Sequence, residues 1–415
     1  LALSNGARIL TRLYAARNGS ADKDHPMRNM ASRRLIASIT AGVVVALIIA
    51  FAPTPAFAAQ SAQSASAQVD QQRAIASYVA LQQYLYLPAD QLYDATAPTP
   101  SDPFAYLWQH ANAMAGTGYL AASPGGGPYV ADLQARLAGL LQYQDNVEHT
   151  PSGVAQPPAF ESAVAPPLGP GGDTYYDDNA WVSLDLLYQY RLTHNQTDLT
   201  LAEQTFRYVV TGWSTNPLSP CPGGVFWVDA SWSGDRNTVS NAPNAEVGAQ
   251  LYKLTGDPFY LSWAKRMYEW VDQCLAAPSG LYYDHISSNG TVNTTEWSYN
   301  QGTMIGAGVL LYKATGNAKY INAAVKTAGA AVAFYGTGTL LQNQGPAFNG
   351  IYFRNLFLLG KLRPNAAYES EAESYGSSMW TSARDVSTGL FQPTADVNST
   401  APMVEIYSLL AGSPP

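Results

Sequence analysis

The chain has 415 residues, 47% of them hydrophobic and only 13% charged, with a formal net charge of −8. That apolar content is ample for one large core, and the acidic balance argues against nucleic acid as a partner, because phosphate backbones are repelled. Aromatic residues are abundant, with 27 Tyr and 9 Trp, which suits a protein offering flat apolar faces with polar edges to a wet ligand.

The chain opens on Leu1, and Met27 and Met30 are the expected starts. Arg33 and Arg34 precede an apolar run from Leu35 to Ala52, followed by Pro53-Thr54-Pro55 and Ala56-Phe57-Ala58. A charged region, an apolar region and an A-x-A site form the layout of a secretory signal peptide. Residues 1–58 are therefore expected to be an upstream extension plus signal peptide, cleaved near Ala58 on export. The apolar run is somewhat long, so an uncleaved anchor is the alternative; the small-residue site and the prolines argue against it. The segment up to Ala58 holds seven Lys/Arg and two Asp/Glu, so the rest keeps 15 basic and 28 acidic side chains, a net charge of −13. No later stretch is apolar enough to span a membrane, so no stable membrane insertion is expected after processing.

Residues 59–69, rich in Ala, Ser and Gln, are expected to form a disordered lead. Beyond them the pattern predicts twelve helices, at about 70–85, 102–115, 128–143, 177–194, 198–212, 238–255, 257–274, 297–315, 318–334, 346–362, 365–384 and 400–411. Short Gly/Asn turns follow the even-numbered helices; long loops rich in Gly, Pro and aromatics precede them, at 144–176, 213–237, 275–296 and 335–345. Helical pairs also repeat: LYKLTGDPFYLSWAKRMYEWV from Leu251 resembles LYKATGNAKYINAAVKTAGAAV from Leu311, sixty residues on. Six such hairpins predict an all-α fold, a single (α/α)6 barrel over 70–412 with the even helices inside and one functional rim at their N-termini. A monomer is expected. Cys221 and Cys274 form either a disulfide or two free thiols. No Cys/His cluster has zinc spacing, so no metal or other cofactor is expected.

The chemically loaded stretches share that rim. Trp108-Gln109-His110 lies in the second helix, Tyr175-Tyr176-Asp177-Asp178-Asn179-Ala180-Trp181 opens the fourth, and Arg236-Asn237-Thr238-Val239-Ser240-Asn241 the sixth. Trp297-Ser298-Tyr299-Asn300-Gln301 opens the eighth and Phe348 to Arg354 lies in the tenth. Glycosidic hydrolysis uses two carboxyl groups, one to protonate the leaving oxygen and one to attack or to activate water. Asp177 and Asp178 supply such a pair: the helix dipole favours one as an anion, and crowding keeps the other protonated. Read as a dipeptide alone, they are an N-cap and a first-turn acid. Trp181, one turn on, is a candidate sugar floor or a core residue; Asp185 reads as a structural buried acid. Tyr176, Asn237, Asn241, Tyr299, Asn300 and Gln301 are candidate substrate contacts, with helix capping as the alternative for Asn300. Trp227 and Trp232 are candidate sugar platforms or loop anchors. Arg354 is expected to orient a loop carboxylate, and Glu296 and Asp235 are spare rim acids.

In order and spacing, YYDDNAW from Tyr175, RNTVSNAP from Arg236, LYKLTGD from Leu251, WSYNQGTMIGA from Trp297 and FNGIYFRNL from Phe348 resemble glycoside hydrolase family 76. The resemblance covers about residues 70–412. It implies an (α/α)6 barrel and endo-hydrolysis of α-1,6-linked mannan with retention and without a metal, so the expected partner is α-mannan or a related polysaccharide. It also implies Asp177 as nucleophile and Asp178 as acid/base. Arg236 stands where the family pattern has Lys, and the region from about Lys361 carries little diagnostic content. A covalent intermediate can pass to water or to a sugar hydroxyl, so transglycosylation is an alternative outcome. Further alternatives are an (α/α)6 glycosidase on another polymer, a glycan-binding scaffold without activity, and a Mg²⁺-dependent terpene cyclase. The last lacks its third acid here and fits an export signal poorly.

Overall fold

The computed structural model describes residues 55–95, 103–144 and 159–415. Its helices are α1 (Pro55–Tyr84), α2 (Leu107–Ala122), α3 (Asp132–Leu140), α4 (Tyr176–Thr193), α5 (Gln196–Val209), α6 (Thr238–Thr255) and α7 (Pro258–Cys274). They continue as α8 (Ser298–Thr315), α9 (Ala318–Tyr335), the short α10 (Leu340–Gln344), α11 (Pro346–Gly360), α12 (Ala366–Ser378) and α13 (Val397–Leu410). Each of the twelve predicted helices has a counterpart, and α10 is the addition. Residues 59–69, expected as a disordered lead, fall within the bounds of α1. Their Ala and Gln are strong helix formers, and low hydrophobicity alone does not melt a helix that continues into packed residues such as Ala74 and Tyr78. The expected signal peptide falls mostly on residues outside those described. Among the described residues, no helix is long and apolar enough to cross a membrane.

Six helices form a closed inner ring, each packing on the next: α2, α4, α6, α8, α11, α13 and back to α2. In α6, every residue from Thr238 to Ala249 is buried, the mark of a helix surrounded on all sides. Outer helices α5, α7 and α9 pack against α4, α6 and α8 and present polar outward faces. The outer helix α1 rests on α13, so both ends of the repeat meet. Tight turns recur between inner and outer helices. Gly256 and Gly316 end α6 and α8 at φ 74° and 70°, a left-handed conformation that glycine adopts without strain. Asp257 and Asn317 then cap the next helix by accepting from Phe259 N at 2.9 Å and Lys319 N at 3.0 Å.

The opposite rim carries the long connections. Three two-residue strands, β3 (Arg236–Asn237), β4 (His285–Ile286) and β5 (Val292–Asn293), follow the hairpin β1 (Tyr86–Leu87) and β2 (Leu92–Tyr93) in chain order. β4 pairs antiparallel with both β3 and β5, setting Asn237 opposite His285. The disulfide Cys221–Cys274 is formed, with Cα atoms 6.1 Å apart, and ties the loop before α6 to the end of α7. Arg236 reinforces it. Its guanidinium donates to the carbonyls of Pro220, Cys221 and Gly223 at 2.6, 2.7 and 2.8 Å.

Candidate active site

Asp177 and Asp178 lie in the first turn of α4, where the chain enters from an extended Tyr175. The loop before α6 holds that entry: Tyr176 N donates to Trp227 O at 3.0 Å, and Tyr175 bridges Val228. The same contact sets the Trp227 indole beside the acids, where Nε1 donates to Asp177 Oδ2 at 3.2 Å. The pair opens into a cleft of about 610 Å³ lined by Tyr106, Trp108, Tyr175, Trp181, Trp227, Asn237, Tyr299 and Phe348. One wall is a packed aromatic group, with Tyr299 and Trp108 at 4.1 and 5.6 Å from Phe348. The other pairs Tyr175 with Trp227 at 5.0 Å.

Both carboxyls are raised above the ordinary range. Burial pushes Asp177 up to about 7, while its own N–H, the Trp227 indole and the Asp178 N–H favour its anion, and Asp284 opposes it. Asp178 is raised well above the usual value by burial and then by the Asp177 charge. No hydrogen bond offsets these, so Asp178 is the acid that keeps its proton longer. Asp284 and His285 also line the cleft. His285 Nδ1 is 3.0 Å from Asp284 Oδ2, and Nε2 is 3.7 Å from Asp235 Oδ2. Bonding to Asp284 raises the His285 pKa.

The cleft thus gathers Asp177, Asp178, Trp181, Asn237, Tyr299 and Trp227 from the sequence candidates. Other candidates do different work. Tyr176 is buried, stacked on Tyr208 at 5.3 Å, away from the cleft, because a residue one position before Asp177 faces the outer helix. Asn241 binds the loop backbone, accepting from Val225 N at 2.8 Å and donating to Asn237 O at 2.8 Å. Gln301 brackets Tyr282 in the same way, at 2.8 and 2.9 Å. Asn300 is fully buried in the barrel wall, with neither amide atom hydrogen-bonded. Trp232 stands outside the lining set, exposed, with Nε1 donating to Asp173 at 2.8 Å. Arg354 orients no loop carboxylate; its partner is Glu405 of α13, at 3.6 Å inside the barrel. Glu296 accepts from Ser279 at 2.8 Å. His110 is buried against Arg136 O, and burial lowers its pKa to about 4.

Asp284, His285, Tyr106 and Ser162 are cleft residues not singled out from the sequence. The first pair was accessible in principle, as an acid-histidine step in a long rim loop. Ser162 follows a segment with no helical period and gives no signal. Among the described residues, no group of three or more His, Cys, Asp or Glu side chains is placed to hold a metal.

The family model for glycosyl hydrolase family 76 matches residues 92–401. The mannan endo-1,6-alpha-mannosidase of Candida glabrata is 32% identical over 128 residues, 29% of this chain and 28% of that protein. The Candida albicans protein of the same description is 32% identical over 146 residues, 33% of this chain and 32% of its own length. The matched stretches thus span about a third or less of these relatives. The family 76 mannosidase of Bacteroides thetaiotaomicron VPI-5482 superposes with a TM-score of 0.70 at 23% identity, covering 82% of this chain and 98% of that one. An inactive alpha-1,6-mannanase variant from Salegentibacter sp. HEL1_6, with two consecutive aspartates replaced by asparagine and alpha-1,6-mannotriose bound, superposes at 0.68 and 22% identity, covering 82% and 99%. These neighbours share the fold. With its family model matched over most of its length, the chain belongs to glycosyl hydrolase family 76.

Proposed function

We propose that this protein is an exported, retaining endo-α-1,6-mannanase working through a covalent glycosyl-enzyme intermediate. The observation that carries the reading is the adjacent pair Asp177 and Asp178, both raised in pKa by burial, on the floor of an aromatic-walled cleft. The surroundings of the two acids support a division of roles. Asp177, with three donors favouring its anion, is the nucleophile; Asp178, without them, is the acid. Asp177 attacks the anomeric carbon as the bond to the leaving sugar oxygen breaks, and Asp178 gives that oxygen its proton. Asp178 then takes a proton from water, whose oxygen displaces Asp177 from the anomeric carbon. Trp181, Trp227 and Tyr299 offer ring faces to the sugar, and Asn237 a polar contact at the edge.

The relatives named as mannan endo-1,6-alpha-mannosidases and the neighbour holding alpha-1,6-mannotriose support mannan as the substrate. The charged segment, apolar run and A-x-A site support export, as does a disulfide, which persists in oxidising compartments. The test is digestion of linear α-1,6-mannan followed by ¹H NMR of the first new reducing ends. A double inversion predicts α-anomeric ends and a ladder of internal fragments. First-formed β ends, or monomer released from chain termini alone, would overturn the reading.

A further inference from the structure

Beneath the cleft floor the barrel interior carries charge that the chemistry above does not use. Arg354 of α11 is buried there with Asp185 of α4, Glu246 of α6 and Glu405 of α13. Its Nη1 is 3.6 Å from Glu405 Oε1, and Asp185 and Glu246 both favour its charged form. Asn355 Nδ2 donates to Glu246 at 3.4 Å. Three acids and one guanidinium are a costly way to fill the centre of six apolar helices, since buried ions give up hydration that an aliphatic core never needs.

What the cluster touches suggests its use. The Arg354 guanidinium carbon lies 5.7 Å from the centroid of the Trp181 ring. Trp181 is 5% exposed, and that small surface faces the cleft alongside Asp177 and Asp178. Asp178, Trp181 and Asp185 follow one another at helical spacing down one face of α4. The indole is thus a partition, with the cleft on one side and the charged cluster on the other. A planar cation paired with the buried Glu405 carboxylate holds a ring in one orientation, which a flexible aliphatic chain does not.

We propose that Arg354 is a positioning residue: held by Glu405, it fixes the plane of Trp181 as the floor beneath the reacting sugar. The kinetic arm of the test rests on the mannanase reading; a spectroscopic arm does not. Arg354→Gln, Arg354→Lys and Glu405→Gln are compared with wild type for kcat and KM on linear α-1,6-mannan. The same proteins, labelled with 5-fluorotryptophan, are compared by ¹⁹F NMR, the Trp181 signal being assigned by Trp181→Phe. Arg354→Gln is expected to lower kcat at least about tenfold with a smaller change in KM, since a displaced floor misaligns the sugar with Asp177. It is also expected to move the Trp181 signal among nine. Arg354→Lys recovers part of both. Glu405→Gln keeps the cation and loosens one restraint, so it shifts the Trp181 signal selectively even if Arg354→Gln does not fold. An unmoved Trp181 signal in every folded variant overturns the proposal, as does a loss of kcat no larger than the loss of folded protein. If wild type leaves mannan uncut, the mannanase reading falls and the ¹⁹F spectra still decide this one.

Discussion

Asp177 and Asp178 share one helical turn but not one environment. Asp177 has the Trp227 indole and two backbone N–H groups to favour its anion; Asp178 has only burial and a neighbouring negative charge. The acidic limb of activity therefore follows Asp177, which must lose its proton and does so near 7 in the free protein. Replacing Trp227 by Phe removes one donor to the anion and raises that pKa. The limb should move to higher pH by roughly one to two units, a hydrogen bond to a charged group being worth about 1.5–3 kcal/mol. Asp284→Asn removes a charge that opposes ionisation, and should move the limb the other way. The pH profile of kcat/KM checks both signs. The pair was legible in the sequence as two acids at a helix start. What distinguishes them was not, because Trp227 is fifty residues away and reaches Asp177 only through a loop.

At the scale of elements, the loop before α6 does the positioning. Its backbone receives Tyr176 N at 3.0 Å, its Trp227 meets Asp177, and its base is clamped by Arg236 and Cys221–Cys274. The use of Arg236 is evident here: one forked side chain serves three carbonyls. Lysine offers a point charge instead of a fork, so Arg236→Lys should lower the unfolding free energy by about 1–3 kcal/mol. Paired Cys221→Ser and Cys274→Ser open a link across 53 residues and should cost roughly 2–4 kcal/mol. Urea denaturation measures both, and an unchanged midpoint would refute the clamp. The helices of these repeats were readable from period and turn residues, and long loops were readable as a functional rim. The roles of polar residues within a helix start were not. Asn237 faces the cleft while Asn241 and Gln301 serve loop backbone, a difference set by packing that spacing does not encode.

For the whole molecule, closure of six inner helices brings charge as well as apolar surface to the centre. The repeat made that closure visible in the sequence; the pairing of Arg354 with Glu405 from the last inner helix was not, because it depends on the ring being shut. One consequence is a pH-dependent stability. Burial raises Glu246 to about 8 from an ordinary 4.5, against the opposing pull of Arg354 and Asn355. The folded protein thus keeps a proton that the unfolded chain has released. This contribution to stability is fully present below the unfolded value and is lost as pH rises toward about 8. Glu246→Gln should flatten that decline, as read from melting temperatures across the same range. The central claim, that the rim pair performs the chemistry, is tested most directly by the rate at which Asp177→Asn and Asp178→Asn release reducing ends from linear α-1,6-mannan. Each folded variant is expected to fall by about a thousandfold or more while still binding α-1,6-mannotriose. Either one retaining a rate within about tenfold of wild type would contradict that claim.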